Sequence, residues 1–286
     1  MDKISKIKVT LKSRPTFEGA GVRLKRAFGY ADSSLDPFLL LDDFHSDNPR
    51  DYMAGFPWHP HRGIETITYM LHGRVEHGDS LGNQGIIEAG DVQWMTAGSG
   101  IIHQEMPKKN KNDPLLWGFQ LWANLPSSHK MMNPRYRDIK NSQIPEVSLN
   151  NNNVKVKIIS GELNGVKGPV QDIVTDPEYL DITISPQSEF IHTLNEGYNI
   201  IAYVIEGEGY FDDEKKELIK NETLIIYRDG NMVNISTEDN EVRFLLISGK
   251  PLKEPVAWRG PIVMNTNEEL RIAFEEYQNG TFIKNK

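Results

Sequence analysis

Cysteine is absent from the 286 residues. Disulfides and thiolate ligands are therefore excluded, and any metal must be held by nitrogen and oxygen. No apolar run has the form of a signal peptide or a membrane span. A cytoplasmic protein without a membrane partner is expected. A basic surplus is also missing, the formal net charge being −8. Proteins that grip nucleic-acid phosphates carry basic patches, so no direct nucleic-acid contact is expected. The densest basic cluster, Lys108, Lys109 and Lys111, reads as a solvated loop.

What is present is a strand-rich chain. Hydrophobic residues make up 38% and charged residues 25%, as in globular proteins, and the length suits one large domain or two ordinary ones. Runs such as 65–71, 155–159, 199–205 and 242–247 are rich in β-branched and aromatic residues and punctuated by Gly, Asn and Asp. Many short strands with frequent turns indicate a sandwich or barrel. An internal echo aligns residues 68–79 with 202–213, with Tyr, Gly and Asp recurring in step, which suggests two copies of one β unit. The seam is expected within 127–153, where Asn150 to Asn153 favour an exposed turn. One helix is signalled at the end. Thr266 and Glu269 fit a capping box, Leu270, Ala273, Phe274 and Tyr277 form an apolar stripe, and Gly280 supplies a stop.

Chemistry concentrates in two short pairs, His59 with His61 and His103 with Glu105, each spaced i, i+2. Side chains two apart on a strand share a face. Two such strands can aim four ligands at one ion. Pro60 places the first pair at a strand entrance, an edge or a bulge. If the strand continues regularly, Glu65 shares that face as well. Imidazole and carboxylate without sulfur suit iron(II), manganese, nickel, copper or zinc, and spacing does not choose among them. The other histidines, His45, His72, His77, His129 and His192, have no partner at i+2 and read as surface or structural.

At these residues the sequence resembles the pirin family of the cupin superfamily. The resemblance is carried by Glu18 to Val22, Ser34 to Phe44, His59-Pro-His-Arg-Gly-Ile-Glu-Thr-Ile-Thr-Tyr69 and His77 to Ser80. It continues through Gly90-Asp-Val-Gln-Trp-Met-Thr-Ala-Gly-Ser-Gly-Ile-Ile-His-Gln-Glu105, Gln120 to Pro126 and Gly260 to Thr266. It implies an all-β bicupin, two antiparallel β-barrel (jelly-roll) domains with a short C-terminal helix. Residues 1–135 would form the metal-binding domain. Residues 136–286 would form a second domain without a metal site, since no His-x-His lies near 198–206 and Asn231-Met-Val-Asn234 stands where a histidine is expected.

The same resemblance implies one divalent transition metal, iron(II) first among the candidates above, on His59, His61, His103 and Glu105. Many other cupins would place the acid at Glu65; pirin-like proteins use the later glutamate. The implied activity is that of a quercetin 2,3-dioxygenase-like oxidoreductase acting on flavonol-type phenols with dioxygen. Glu105 would then double as the catalytic base, and Phe56, Trp58, Trp94 and Met95 are candidate flat walls for the substrate. The alternative is an iron-dependent regulatory protein that binds a protein partner without turnover. Arg23, Lys25 and Arg26 resemble a basic surface strip of that kind.

Overall fold

The computed structural model describes residues 2–109 and 113–284, so Lys111 of the basic cluster lies outside the described residues. Antiparallel strands dominate, as the alternation and turn residues require. Contacts divide the chain into two compact units. One is made of Met1–Ser13, Asp32–Pro37 and Ser142–Pro251, the other of Arg14–Ala31, Phe38–Asn141 and Leu252–Lys286. Each therefore borrows segments from the opposite end of the chain, whereas the sequence suggests consecutive spans meeting at 135/136. The reason is strand pairing: Lys6–Lys12 joins Thr223–Arg228, far away in sequence.

The second unit is built on two main sheets, beside the short pair Ala257–Arg259 and Ile262–Met264. The larger runs, in spatial order, Arg135–Ile139, Val92–Thr96, Ile64–His72, Leu116–Asn124, Phe38–Ser46, Val22–Gly29 and Arg14–Glu18. The smaller runs Phe56–His61, Ile101–Pro107, Arg74–Asp79 and Gln84–Glu88. Neither order returns to its start, so these are the open sheets of a β-sandwich and not the closed barrels expected from the sequence. The first unit repeats the theme. Its main sheet places Asn199–Tyr210 between Thr223–Arg228 and Val242–Gly249. In the other unit Ile64–His72 sits between Val92–Thr96 and Leu116–Asn124, so the two echoing segments occupy corresponding central strands. Their paired tyrosines, Tyr69 and Tyr203, are both buried. The interior of the first unit is filled by Val156, Ile182, Val204, Val233, Ile235 and Phe244 among others.

Local signals hold where they are short-ranged. Asn150, Asn151 and Asn152 adopt φ values of 51°, 56° and 70°, the left-handed turn that asparagine tolerates. The helix spans Asn267–Gln278. Thr266 Oγ1 accepts from Glu269 N at 3.2 Å, and Glu269 Oε2 accepts from Thr266 N at 2.9 Å. Leu270 and Ala273 are buried with Met264 and Phe282, and Phe274 packs alongside. Tyr277 meets the Phe282 ring edge-on, with centroids 5.6 Å apart. No helix among the described residues is long and apolar enough to cross a membrane.

Candidate metal centre

Phe56–His61 is an edge strand, which is where a Pro60 without an N–H can sit. It pairs with Ile101–Pro107 so that His103 lies directly opposite His59 and Ile101 opposite His61. Period-two alternation then brings three imidazoles onto one face. Their candidate ligand atoms all lie within 4.8 Å of one another. Ring centroids are 4.4 Å apart for His59 and His103, 4.8 Å for His59 and His61, and 5.0 Å for His61 and His103.

The hydrogen bonds around the rings define which nitrogens face inward. His59 Nδ1 lies 2.8 Å from the Pro57 carbonyl and His61 Nδ1 lies 3.0 Å from the Pro261 carbonyl. A carbonyl only accepts, so each Nδ1 donates, and in the neutral ring Nε2 then carries a lone pair. Those two Nε2 atoms face each other at 3.1 Å. With both rings neutral, two lone pairs at that distance repel, and a cation between them relieves the repulsion. The buried His103 Nε2 has no hydrogen-bond partner among the described residues. Nitrogen ligands at about 2.1 Å from one ion, set at right angles, are separated by about 3 Å. The donor set therefore fits a transition metal. Burial, reinforced by the neighbouring imidazoles, pushes the His61 and His103 pKa values well below the usual histidine range, so both rings are neutral donors at neutral pH.

Glu105 lies beyond the three-histidine cluster but on the same strand face as His103. Its Oε1 accepts from Thr68 Oγ1 at 3.0 Å. Burial raises its pKa, and the neighbouring His59 and the Thr68 hydroxyl oppose the rise. Glu65 does not join the histidines. The chain bends at Gly63, and Ile64–His72 belongs to the larger sheet. Glu65 Oε1 there accepts from Thr96 Oγ1 at 2.7 Å. His77, read from sequence as structural, is buried with its Nε2 on the Tyr136 hydroxyl and 3.7 Å from Asp138.

A cavity of about 660 Å³ opens beside His59, His61 and Glu105. Of the four expected wall residues, Phe56 lines it. Trp58 adjoins His59, so alternation turns it the other way, and it is 52% exposed. Trp94 is fully buried outside the lining, and Met95 packs into the core with Ile64 and Val263. The aromatic lining residues that sequence reasoning missed are Phe44, Trp122 and Trp258. Trp122 could have been found, because Gln120 and Trp122 alternate on one strand face. Trp258 comes from a segment with no sequence link to the histidines. Arg26, read as part of a surface strip, instead faces the cavity and forms a bidentate pair with Asp42, with Nε–Oδ1 2.8 Å and Nη2–Oδ2 2.7 Å.

The family model for Pirin matches residues 21–123, and that for the Pirin C-terminal cupin domain matches residues 179–283. A pirin-like protein of Caulobacter vibrioides is 40% identical over 274 residues, covering 95% of this chain and 97% of its own. Pirin-1 of Arabidopsis thaliana is 42% identical over 266 residues, covering 92% and 89% respectively. Among solved structures, a quercetin 2,3-dioxygenase from Acinetobacter baumannii superposes with a TM-score of 0.91 at 31% identity, covering 98% of this chain and 99% of that one.

Proposed function

The chain belongs to the pirin family, and from that premise we propose that it is a metal-dependent dioxygenase of flavonol-type phenols. The observation that carries this reading is the convergence of three imidazoles on a cavity large enough for a planar ligand of drug size. In this reading His59, His61, His103 and Glu105 hold one divalent ion, iron(II) by preference, with manganese, nickel, copper and zinc as the other metals that suit nitrogen and oxygen donors. When bound, the ion supplies Lewis-acid polarisation of a substrate oxygen and a template for dioxygen.

The protein's own groups do the rest. The Thr68 hydroxyl occupies Oε1 of Glu105, which leaves Oε2 for the ion or for a substrate proton. Burial raises the proton affinity of that carboxylate, which suits it to take the proton of a phenol or enol hydroxyl. Trp122 meets the His61 ring edge-on at 5.1 Å and stands 5.9 Å from the Trp258 ring, so the two indoles wall the cavity beside the histidines.

The direct test is oxygen uptake. Metal-loaded protein given quercetin under air should consume dioxygen and release carbon monoxide. Neither signal with iron, manganese, nickel or copper would overturn the enzymatic reading in favour of a binding role. Thr68→Val tests the place of Glu105 separately. The change keeps the shape and removes the donated hydrogen bond. Metal affinity should fall about tenfold, the lower end for losing a group that orients a ligand. An unchanged dissociation constant in a competition titration would remove Glu105 from the ligand set.

A further inference from the structure

The cavity has a second polar end. Besides His59, His61 and Glu105, its lining includes Glu18, Arg26 and Asp42, with Leu24, Leu40 and Phe44 among its apolar residues. The two ends are joined across the larger sheet. Arg26 lies opposite Asp42, Asp42 opposite Gln120, and Gln120 opposite Thr68. Thr68 Oγ1 contacts both Gln120 Oε1 at 2.9 Å and Glu105 Oε1 at 3.0 Å. One polar row therefore runs over four strands from the guanidinium to the carboxylate beside the histidines.

Arg26 is doubly engaged at its end of the row. Asp42 takes it in the bidentate pair, and Glu18 Oε1 lies 2.9 Å from Nη2. Two carboxylates against one guanidinium leave the cluster with an excess negative charge. Asp42 is buried, and that burial pushes its pKa up to about 6 despite Arg26. Glu18 is more open, its side chain 43% exposed. A carboxylate has about four lone-pair sites, so Glu18 retains capacity to accept from a ligand. A tie meant only to join two strands is met at least as well by apolar residues, because desolvating an ion pair offsets its attraction. Here the charges line a cavity instead.

We propose that Glu18, Arg26 and Asp42 form a specificity subsite that accepts a neutral hydroxyl on the ring of a planar phenol and rejects a carboxylate at the same position. The subsite deepens the dioxygenase reading and rests on it for the ligand's other end. A phenolic O–H donates to Glu18, a charge-assisted bond. A carboxylate has no proton to donate and meets like charge.

Anaerobic calorimetry of the metal-loaded protein tests this with three probes that share one chelating end: 3-hydroxyflavone, 3,4′-dihydroxyflavone, and the 4′-carboxylate of 3-hydroxyflavone. The wild type should bind the dihydroxy compound about tenfold tighter than 3-hydroxyflavone, as one hydrogen bond to a charged group allows, and the carboxylate about tenfold more weakly. Glu18→Gln should bring both ratios to within about threefold of unity, with Asp42→Asn as the second variant. Unchanged ratios in both variants would overturn the subsite. If none of the three probes binds, the subsite and the flavonol reading fall together. If the ratios behave as stated but quercetin is not oxidised, the subsite stands and the dioxygenase reading falls.

Discussion

His61→Ala should yield a folded protein that purifies with less than about a tenth of an ion per chain, where the wild type carries about one. His61 is the ring on which the cluster turns. Its Nε2 faces that of His59 at 3.1 Å, and its Nδ1 is anchored by the Pro261 carbonyl at 3.0 Å. Alanine removes one of the four proposed ligands, and the remaining two imidazoles and acid, placed for a four-ligand centre, are expected to lose the ion during purification. The structural loss is modest by comparison: one unpaired carbonyl and a small void, together about 1–3 kcal/mol. Circular dichroism should therefore match the wild type while elemental analysis does not. His129→Ala is the control, because that residue is exposed and bonded to Ser128; its metal content should be unchanged. Full occupancy in His61→Ala would dismantle the proposed centre.

Much of this site was legible because strand alternation is a short-range rule. His59 with His61, and His103 with Glu105, needed only an i, i+2 spacing to share a face. The same rule excludes Trp58, which adjoins His59 and so points the opposite way. Phe56 breaks the parity. His103 pairs with His59 but Glu105 pairs with Phe56, so a register shift turns Phe56 toward the cavity. Nothing in the local sequence signals that shift. Arg26 is a similar case: a register shift between Arg26 and Phe28 accompanies its turn from an apparent basic strip to the cavity. Trp258 and Pro261 are contributed by a segment about two hundred residues from His59 and His61, and no periodicity encodes that contact. The helix at Asn267–Gln278 was readable to its cap because a capping box is complete within four residues. Sheet closure was not readable, since it depends on which strands end as edges.

Gly63→Ala should lower the melting temperature by about 10 °C or more and strip the metal as well, although residue 63 donates no ligand. Gly63 adopts φ +79°, and a Cβ there would lie 1.9 Å from the Val263 carbonyl oxygen and 3.1 Å from its carbon. Both are backbone atoms, so no side-chain rotation relieves the overlap. Moving the Val263 carbonyl breaks its bond from Lys130 Nζ at 3.1 Å and disturbs the bond from Val263 N to the Arg62 carbonyl at 3.1 Å. Lys130 is buried and its pKa is pushed down to about 8 by that burial, so each of its acceptors matters. The lost bonds and the left-handed backbone together cost about 4 kcal/mol or more. The damage reaches the histidines through two short stretches of chain, from Gly63 back to His61 and from Val263 back to Pro261, the carbonyl that fixes the His61 tautomer. Gly82→Ala separates the causes. Gly82 has φ +87°, but a methyl group there would meet nothing within 4 Å, so it carries the conformational penalty alone, about 1 kcal/mol. Equal melting shifts for the two variants would mean that the Gly63–Val263 approach does not hold the bend that separates the two sheets beside the histidines.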